Sequence, residues 1–68
     1  MTTRSPADLK AEYARISEDW HEFTRHRKGI VLARLEEMED RLAEIGGQAD
    51  LIAKVKQLHG RIRHDLTR

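Results

Sequence analysis

The sequence contains no cysteine, and this absence excludes two ways in which small proteins are stabilised. Without thiols, the chain can form neither disulfide bridges nor a cysteine-ligated zinc or iron–sulfur centre, a composition that fits a reducing compartment. Long apolar runs are also missing, since none approaches the roughly 18 residues of a membrane-spanning helix. No apolar stretch follows Met1–Pro6. We therefore expect no secretory signal, no membrane partner and a cytoplasmic location.

Glycine, proline and aromatic residues are also scarce, at four glycines, one proline and 4% aromatics in 68 residues. This length supports one domain, which we place over residues 1–68 with a frayed N-terminus at residues 1–5. A substrate pocket of the usual ~300–1,000 Å³ would empty most of so small a core. We therefore expect a protein that is not an enzyme and that binds no cofactor and no small-molecule substrate.

Apolar residues recur at heptad spacing in the first two thirds of the chain, which predicts helix. The spacings are 4, 3, 4 and 3 in both of two runs: Leu9, Tyr13, Ile16, Trp20, Phe23, and then Val31, Leu35, Met38, Leu42, Ile45. Ser5 and Pro6 form a typical helix start. No capping residue follows Gly29 before the next apolar run. The pattern therefore favours one long amphipathic helix over about 6–45, and the alternative is a chain of three helices with a break near Gly29.

A second break is expected at Gly46 and Gly47, followed by a shorter helix over about 50–67 with Asp50 as its N-cap. Residues 29–50 carry two arginines against six acids, a net charge of −4. Residues 51–68 carry five basic residues against one acid, a net charge of +4. Because the connection is short, these stretches should be antiparallel neighbours. The predicted fold is therefore an all-α helical hairpin.

In this arrangement, residues 6–28 lack a partner within the chain. A chain of about 60 residues also buries only about 60% of its unfolded surface, so association would stabilise it. We therefore expect a homo-oligomer, with a dimeric coiled coil or helix bundle favoured. The apolar pattern leaves parallel or antiparallel pairing and the exact oligomeric state open.

The single tyrosine, tryptophan and phenylalanine all lie on the first apolar seam, between residues 13 and 23. Aromatic and arginine side chains dominate the energetics of protein interfaces. The predicted protein-binding residues are the anchors Tyr13, Ile16, Trp20 and Phe23, with the basic rim Arg25, Arg27 and Lys28. The same stripe could instead be the core of a dimer or of a three-helix bundle, and Arg27 a residue that sets helix register.

The leading functional prediction is a small regulator that acts by protein–protein interaction, such as an adaptor, an inhibitor or an assembly chaperone. Small proteins of phages and mobile elements often have this form, an analogy at the level of fold. One alternative is a nucleic-acid-binding regulator that uses Lys54, Lys56, Arg61 and Arg63. The net charge of only +1 and the lack of an aromatic residue on that helix count against it. A purely structural oligomerisation protein is the third reading.

The four histidines raise the question of a metal site. His21 and His26 are five residues apart, as are His59 and His64. Five residues correspond to about 140° around a helix, so neither pair presents two ligands on one face. We therefore expect no bound metal.

Overall fold

The computed structural model describes residues 5–68, which form three α-helices. They are α1 (Pro6–Asp19), α2 (Arg25–Ile45) and α3 (Ala49–Leu66), with a single 3₁₀ turn at Trp20–Glu22 between α1 and α2. The predicted all-helical class is therefore confirmed. The frayed terminus predicted at residues 1–5 lies outside the described residues, except for Ser5.

Helix α1 begins where the sequence predicted, because Ser5 and Asp8 form a capping box. The Ser5 hydroxyl accepts a hydrogen bond from the Asp8 backbone N–H at 3.3 Å, and the Asp8 carboxylate accepts one from the Ser5 N–H at 3.4 Å. These two bonds satisfy backbone donors that have no partner within the helix. Pro6 occupies the first helical position, where its missing N–H has no cost.

The prediction of one helix over about 6–45 is wrong, because the chain turns between Trp20 and Thr24. Phe23 is extended (φ −73°, ψ 146°), and Thr24 is the N-cap of α2, its hydroxyl accepting from the Arg27 N–H at 3.1 Å. The alternative of three helices is confirmed in its number of helices, but its break is misplaced, since Gly29 lies within the second turn of α2. The earlier break lets α1 fold back onto the other two helices and bury its apolar side.

The break at Gly46 and Gly47 is confirmed, and both residues have positive φ, at 80° and 70°. Side chains with a Cβ rarely adopt this left-handed region, which explains the glycine pair. Helix α3 begins at Ala49 with Gln48 as its N-cap. The prediction of Asp50 as the N-cap is therefore wrong, and Asp50 lies in the first turn instead, where its charge suits the helix dipole.

The core lies between all three helices. Helices α2 and α3 pack antiparallel, and α1 packs against both. Leu35, Leu42, Val55 and Ile62 have no exposed surface. The remaining buried residues are Leu9, Ile16, Trp20, Val31, Met38, Leu51 and Leu58. The molecule is therefore a small three-helix bundle rather than a two-helix hairpin.

Within residues 5–68, no helix combines the length and the apolar composition that crossing a membrane requires.

Candidate protein-binding groove

The predicted apolar anchors contribute mainly to the core of their own chain. Ile16 and Trp20 are only 7% and 8% exposed, while Tyr13 and Phe23 are half-buried at the edge of the core. The apolar stripe for which a second chain was predicted is thus covered largely by α2 and α3. The reason for expecting a dimer through the N-terminal seams therefore no longer holds.

Two of the three predicted basic rim residues join the start of α2 to the end of α3. The Arg25 guanidinium donates to the Leu66 carbonyl oxygen at 3.0 Å, and the Lys28 ammonium lies 2.7 Å from the Asp65 carboxylate. The hydrogen bond from Lys28 holds the pKa of Asp65 below its ordinary value. The Lys28 ammonium also lies 5.6 Å from the centre of the Trp20 ring. These contacts give Arg25 and Lys28 partners within the chain.

Arg27, the third rim residue, lies on the other side of α2. Its guanidinium carbon is 4.6 Å from the centre of the Phe23 ring, a cation–π geometry. Both residues line a groove between α1 and α2 with a volume of about 530 Å³. We call this the α1–α2 groove, and it is lined by Glu12, Arg15, Ile16, Asp19, Phe23, Arg27, Ile30, Val31 and Arg34.

The most exposed apolar side chain of this groove is Ile30, with 56% of its surface accessible. The half-buried Phe23 ring lines the same groove, and the buried residues Ile16 and Val31 form the floor. Ile45, at 41%, is the other large apolar side chain in residues 5–68 with comparable exposure, and it lies at the far end of α2. The groove therefore combines an apolar floor with one apolar residue open to solvent.

One end of the groove is closed by an ion pair. Arg34 donates two hydrogen bonds to the Glu12 carboxylate, from Nε at 2.7 Å and from Nη2 at 3.1 Å. This bidentate contact raises the pKa of Arg34 above its ordinary value. Towards the other end, Arg15 and Arg27 form no salt bridge with any residue in the described range.

Tyr13, the remaining predicted anchor, faces away from this groove. It lies on the α3 side of α1, in a small cleft of about 60 Å³ that Ser17, Leu58 and Arg61 also line. Of the seven residues predicted for protein binding, the structure thus brings Ile16, Phe23 and Arg27 together in the α1–α2 groove. Ile30 was not among the predicted residues, because it belongs to neither heptad run and nothing in its position next to Gly29 indicates that its side chain is exposed.

The four basic residues of the nucleic-acid alternative are all exposed on α3. Lys54 and Arg61 line clefts that face α1, whereas Lys56 and Arg63 lie on the opposite flank, toward α2. None of the four forms a salt bridge with another residue of the described chain. The structure therefore presents two separate basic pairs rather than one continuous stripe.

The histidines are not assembled into a metal centre by this fold. Across residues 5–68, no three His, Cys, Asp or Glu side chains are placed to hold an ion together. His59 Nε2 lies 3.7 Å from the Glu36 carboxylate, an isolated contact between α3 and α2.

Comparison of the chain with protein-family models, with curated proteins and with solved structures finds no match.

Proposed function

We propose that this protein is a non-enzymatic protein-interaction module whose partner binds in the α1–α2 groove. The observation that carries the proposal is the 56% exposure of Ile30 beside the half-buried Phe23. Apolar surface bordered by polar groups is typical of interaction sites in small proteins. Covering Ile30 and the edge of the Phe23 ring would remove apolar surface from water, which favours binding by about 25 cal/mol per Å².

The charges around the groove indicate the chemistry of the partner. Arg15 and Arg27 form no salt bridge within residues 5–68, whereas Glu12 is already paired with Arg34. Asp19 is the other acid of the groove, so the two unpaired arginines outnumber it. A partner segment should therefore carry an apolar side chain for the groove and a carboxylate for one of the two free arginines. A short amphipathic helix with one acidic edge meets both requirements, because its apolar residues recur along one face. The protein would then act as an adaptor, inhibitor or assembly chaperone for the protein that contains this helix.

The test uses peptides selected for binding to the protein from a displayed library of helical sequences. Selected peptides should combine apolar residues at helical spacing with acidic residues, and their binding should be lost in Ile30→Asp. Ile45→Asp is the matched control, because it introduces the same charge at an exposed isoleucine outside the groove. Amide chemical shifts should change at Arg15, Phe23 and Ile30 when peptide is added. Equal binding to both variants, or selected peptides without acidic residues, would contradict the proposal.

Binding to nucleic acid is a second candidate, favoured by the four exposed and unpaired cations of α3. The separation of these residues into two pairs limits how many phosphates one strand could contact. Phosphate binding should weaken steeply from low to moderate salt, whereas peptide binding in the apolar groove should change little. Fluorescence anisotropy with labelled DNA and RNA, compared between wild type and Arg61→Ala/Arg63→Ala, measures this candidate directly.

A further inference from the structure

A second surface of the bundle has no cover among the described residues, namely the face of α2 and α3 that lies opposite α1. We infer that this face binds a second copy of the same chain. It is separate from the α1–α2 groove, so the inference does not depend on the proposed function. We call it the α2–α3 face, and its exposed residues are Gly29, Ala33, Glu36, Asp40, Ala53, Lys56, Gly60 and Arg63.

The α2 half of this face is acidic around Glu36 and Asp40, because the two arginines nearest to them along the helix are directed elsewhere. Arg34 binds Glu12 of α1, and Arg41 lies 4.0 Å from Glu44 along the same helix. Glu36 and Asp40 therefore remain exposed without a basic neighbour from α2. Glu36 has one contact across the helix pair, to His59 at 3.7 Å.

The α3 half of the face is basic. Lys56 and Arg63 are exposed on the flank toward α2, and neither forms a salt bridge with another residue of the described part of the chain. The acids of α3 do not neutralise them, because Asp65 binds Lys28 on the side of the core and Asp50 lies at the start of the helix. An acidic helix surface thus lies next to a basic one, and apart from the Glu36–His59 contact their charged residues form no salt bridge within residues 5–68.

Such a pair of surfaces is complementary to itself under two-fold symmetry. If the two-fold axis runs parallel to the helices, α2 of one copy lies along α3 of the other, and both contacts join acid to base. The register follows from the Lys28–Asp65 and Glu36–His59 contacts, which place Asp40 level with residues 53–55. Lys56 is then displaced by about 3 Å along the helix axis, within reach of a lysine side chain. Asp40 of each copy would therefore bind Lys56 of the other.

The glycines of the face support a close approach between helices. Gly29 and Gly60 lie inside helices, where glycine costs about 1 kcal/mol relative to alanine. Nothing within the chain requires them, since a Cβ at either position would meet no atom within 4 Å. A partner helix that packs closely on this face gives a physical reason for both glycines.

Charge reversal tests the inference, because the symmetry predicts an unusual rescue. Asp40→Lys and Lys56→Glu should each place like charges opposite one another at both symmetric contacts. Each variant alone should dimerise at least about tenfold more weakly than wild type, because like charges then face each other. In an equimolar mixture of the two variants every facing pair is again opposite in sign, so a heterodimer should form. Lys54→Glu is the matched control, since Lys54 faces α1, and it should dimerise like wild type.

Sedimentation velocity at low and moderate salt measures the dimer, and native mass spectrometry with one variant isotopically labelled detects the heterodimer. Circular dichroism checks that all variants are helical. A monomeric wild type at low salt, equal effects of Lys54→Glu and Lys56→Glu, or no heterodimer in the mixture would each overturn the inference. Ile30→Asp should leave the dimer intact, so that a failure of the groove proposal is distinguishable from a failure of this one.

Discussion

Replacing Trp20 by alanine should cost about 3–5 kcal/mol of unfolding free energy, the usual range for removing a large buried aromatic side chain. The side chain is 8% exposed and contributes to the core next to Ile16. The substitution would also remove the contact between the Trp20 ring and the Lys28 ammonium, which lies 5.6 Å from the ring centre. A domain of 68 residues has a total stability of roughly 3–10 kcal/mol. The variant should therefore be largely unfolded, or close to unfolding, at room temperature.

The assay is urea unfolding followed by circular dichroism, which does not depend on the fluorescence of the tryptophan that is removed. Trp20→Phe keeps most of the apolar volume and should lose less than about 2 kcal/mol, so the series yields a measurable value even if the alanine variant does not fold. Ile30→Ala is the control, because its side chain is 56% exposed and should change stability by less than about 0.5 kcal/mol.

The result that would refute this reasoning is a Trp20→Ala variant within about 1 kcal/mol of wild type. Such a variant would show that Trp20 is not a core residue. It would instead support the sequence-based interpretation of Trp20 as an anchor for a second protein.

Four further substitutions test the N-cap of α2, the loss of stability in acid and the glycines. Thr24→Ala should destabilise the bundle by about 1 kcal/mol in urea unfolding, because the N–H of Arg27 loses its cap; an unchanged midpoint would contradict the role of Thr24. Lys28 lowers the pKa of Asp65 in the folded state. The stabilisation that ionised Asp65 provides is therefore complete above its ordinary pKa of 3.8 and is lost as the pH falls through the folded-state pKa. Asp65→Asn should therefore lose less stability than wild type as the pH is lowered, in acid titrations followed by circular dichroism. An acid unfolding curve identical to that of wild type would contradict a stabilising role of the Lys28–Asp65 pair. Gly60→Ala should stabilise the monomer by up to about 1 kcal/mol, because Gly60 lies inside a helix. Gly46→Ala should destabilise it by about 1 kcal/mol, because Gly46 has φ 80°. Changes of the same sign for the two variants in urea unfolding would contradict this reasoning.

Local signals in the sequence were sufficient to predict where α1 begins and where α2 ends. Ser5 and Pro6 start α1 through contacts within four residues, and the Gly46–Gly47 turn needs a backbone conformation that glycine adopts readily. The break at Trp20–Thr24 also has a local signal, because Thr24 is a good N-cap. The apolar seam can be continued across this break if the heptad register shifts by one residue between Phe23 and Val31, however, and periodicity alone therefore favoured an uninterrupted helix.

The candidate site was less predictable than the fold. Phe23 and Arg27 were identified from residue type, and both line the α1–α2 groove. Ile30 could not be identified, because its exposure depends on where α1 lies relative to α2. Trp20 illustrates the opposite error, since a seam residue looks the same in sequence whether it packs within its own chain or against another.

The sequence by itself determined that this protein is helical, where its first helix starts and where the glycine turn falls, because these features depend on contacts within a few residues. The tertiary structure decided that α1 folds back, and with it which apolar residues are buried and which remain exposed. The physical reason is that burial depends on contacts between residues far apart in the chain. Ile16 and Trp20 lose their exposure only when α2 and α3 cover them, and the α1–α2 groove exists only because α1 lies beside α2.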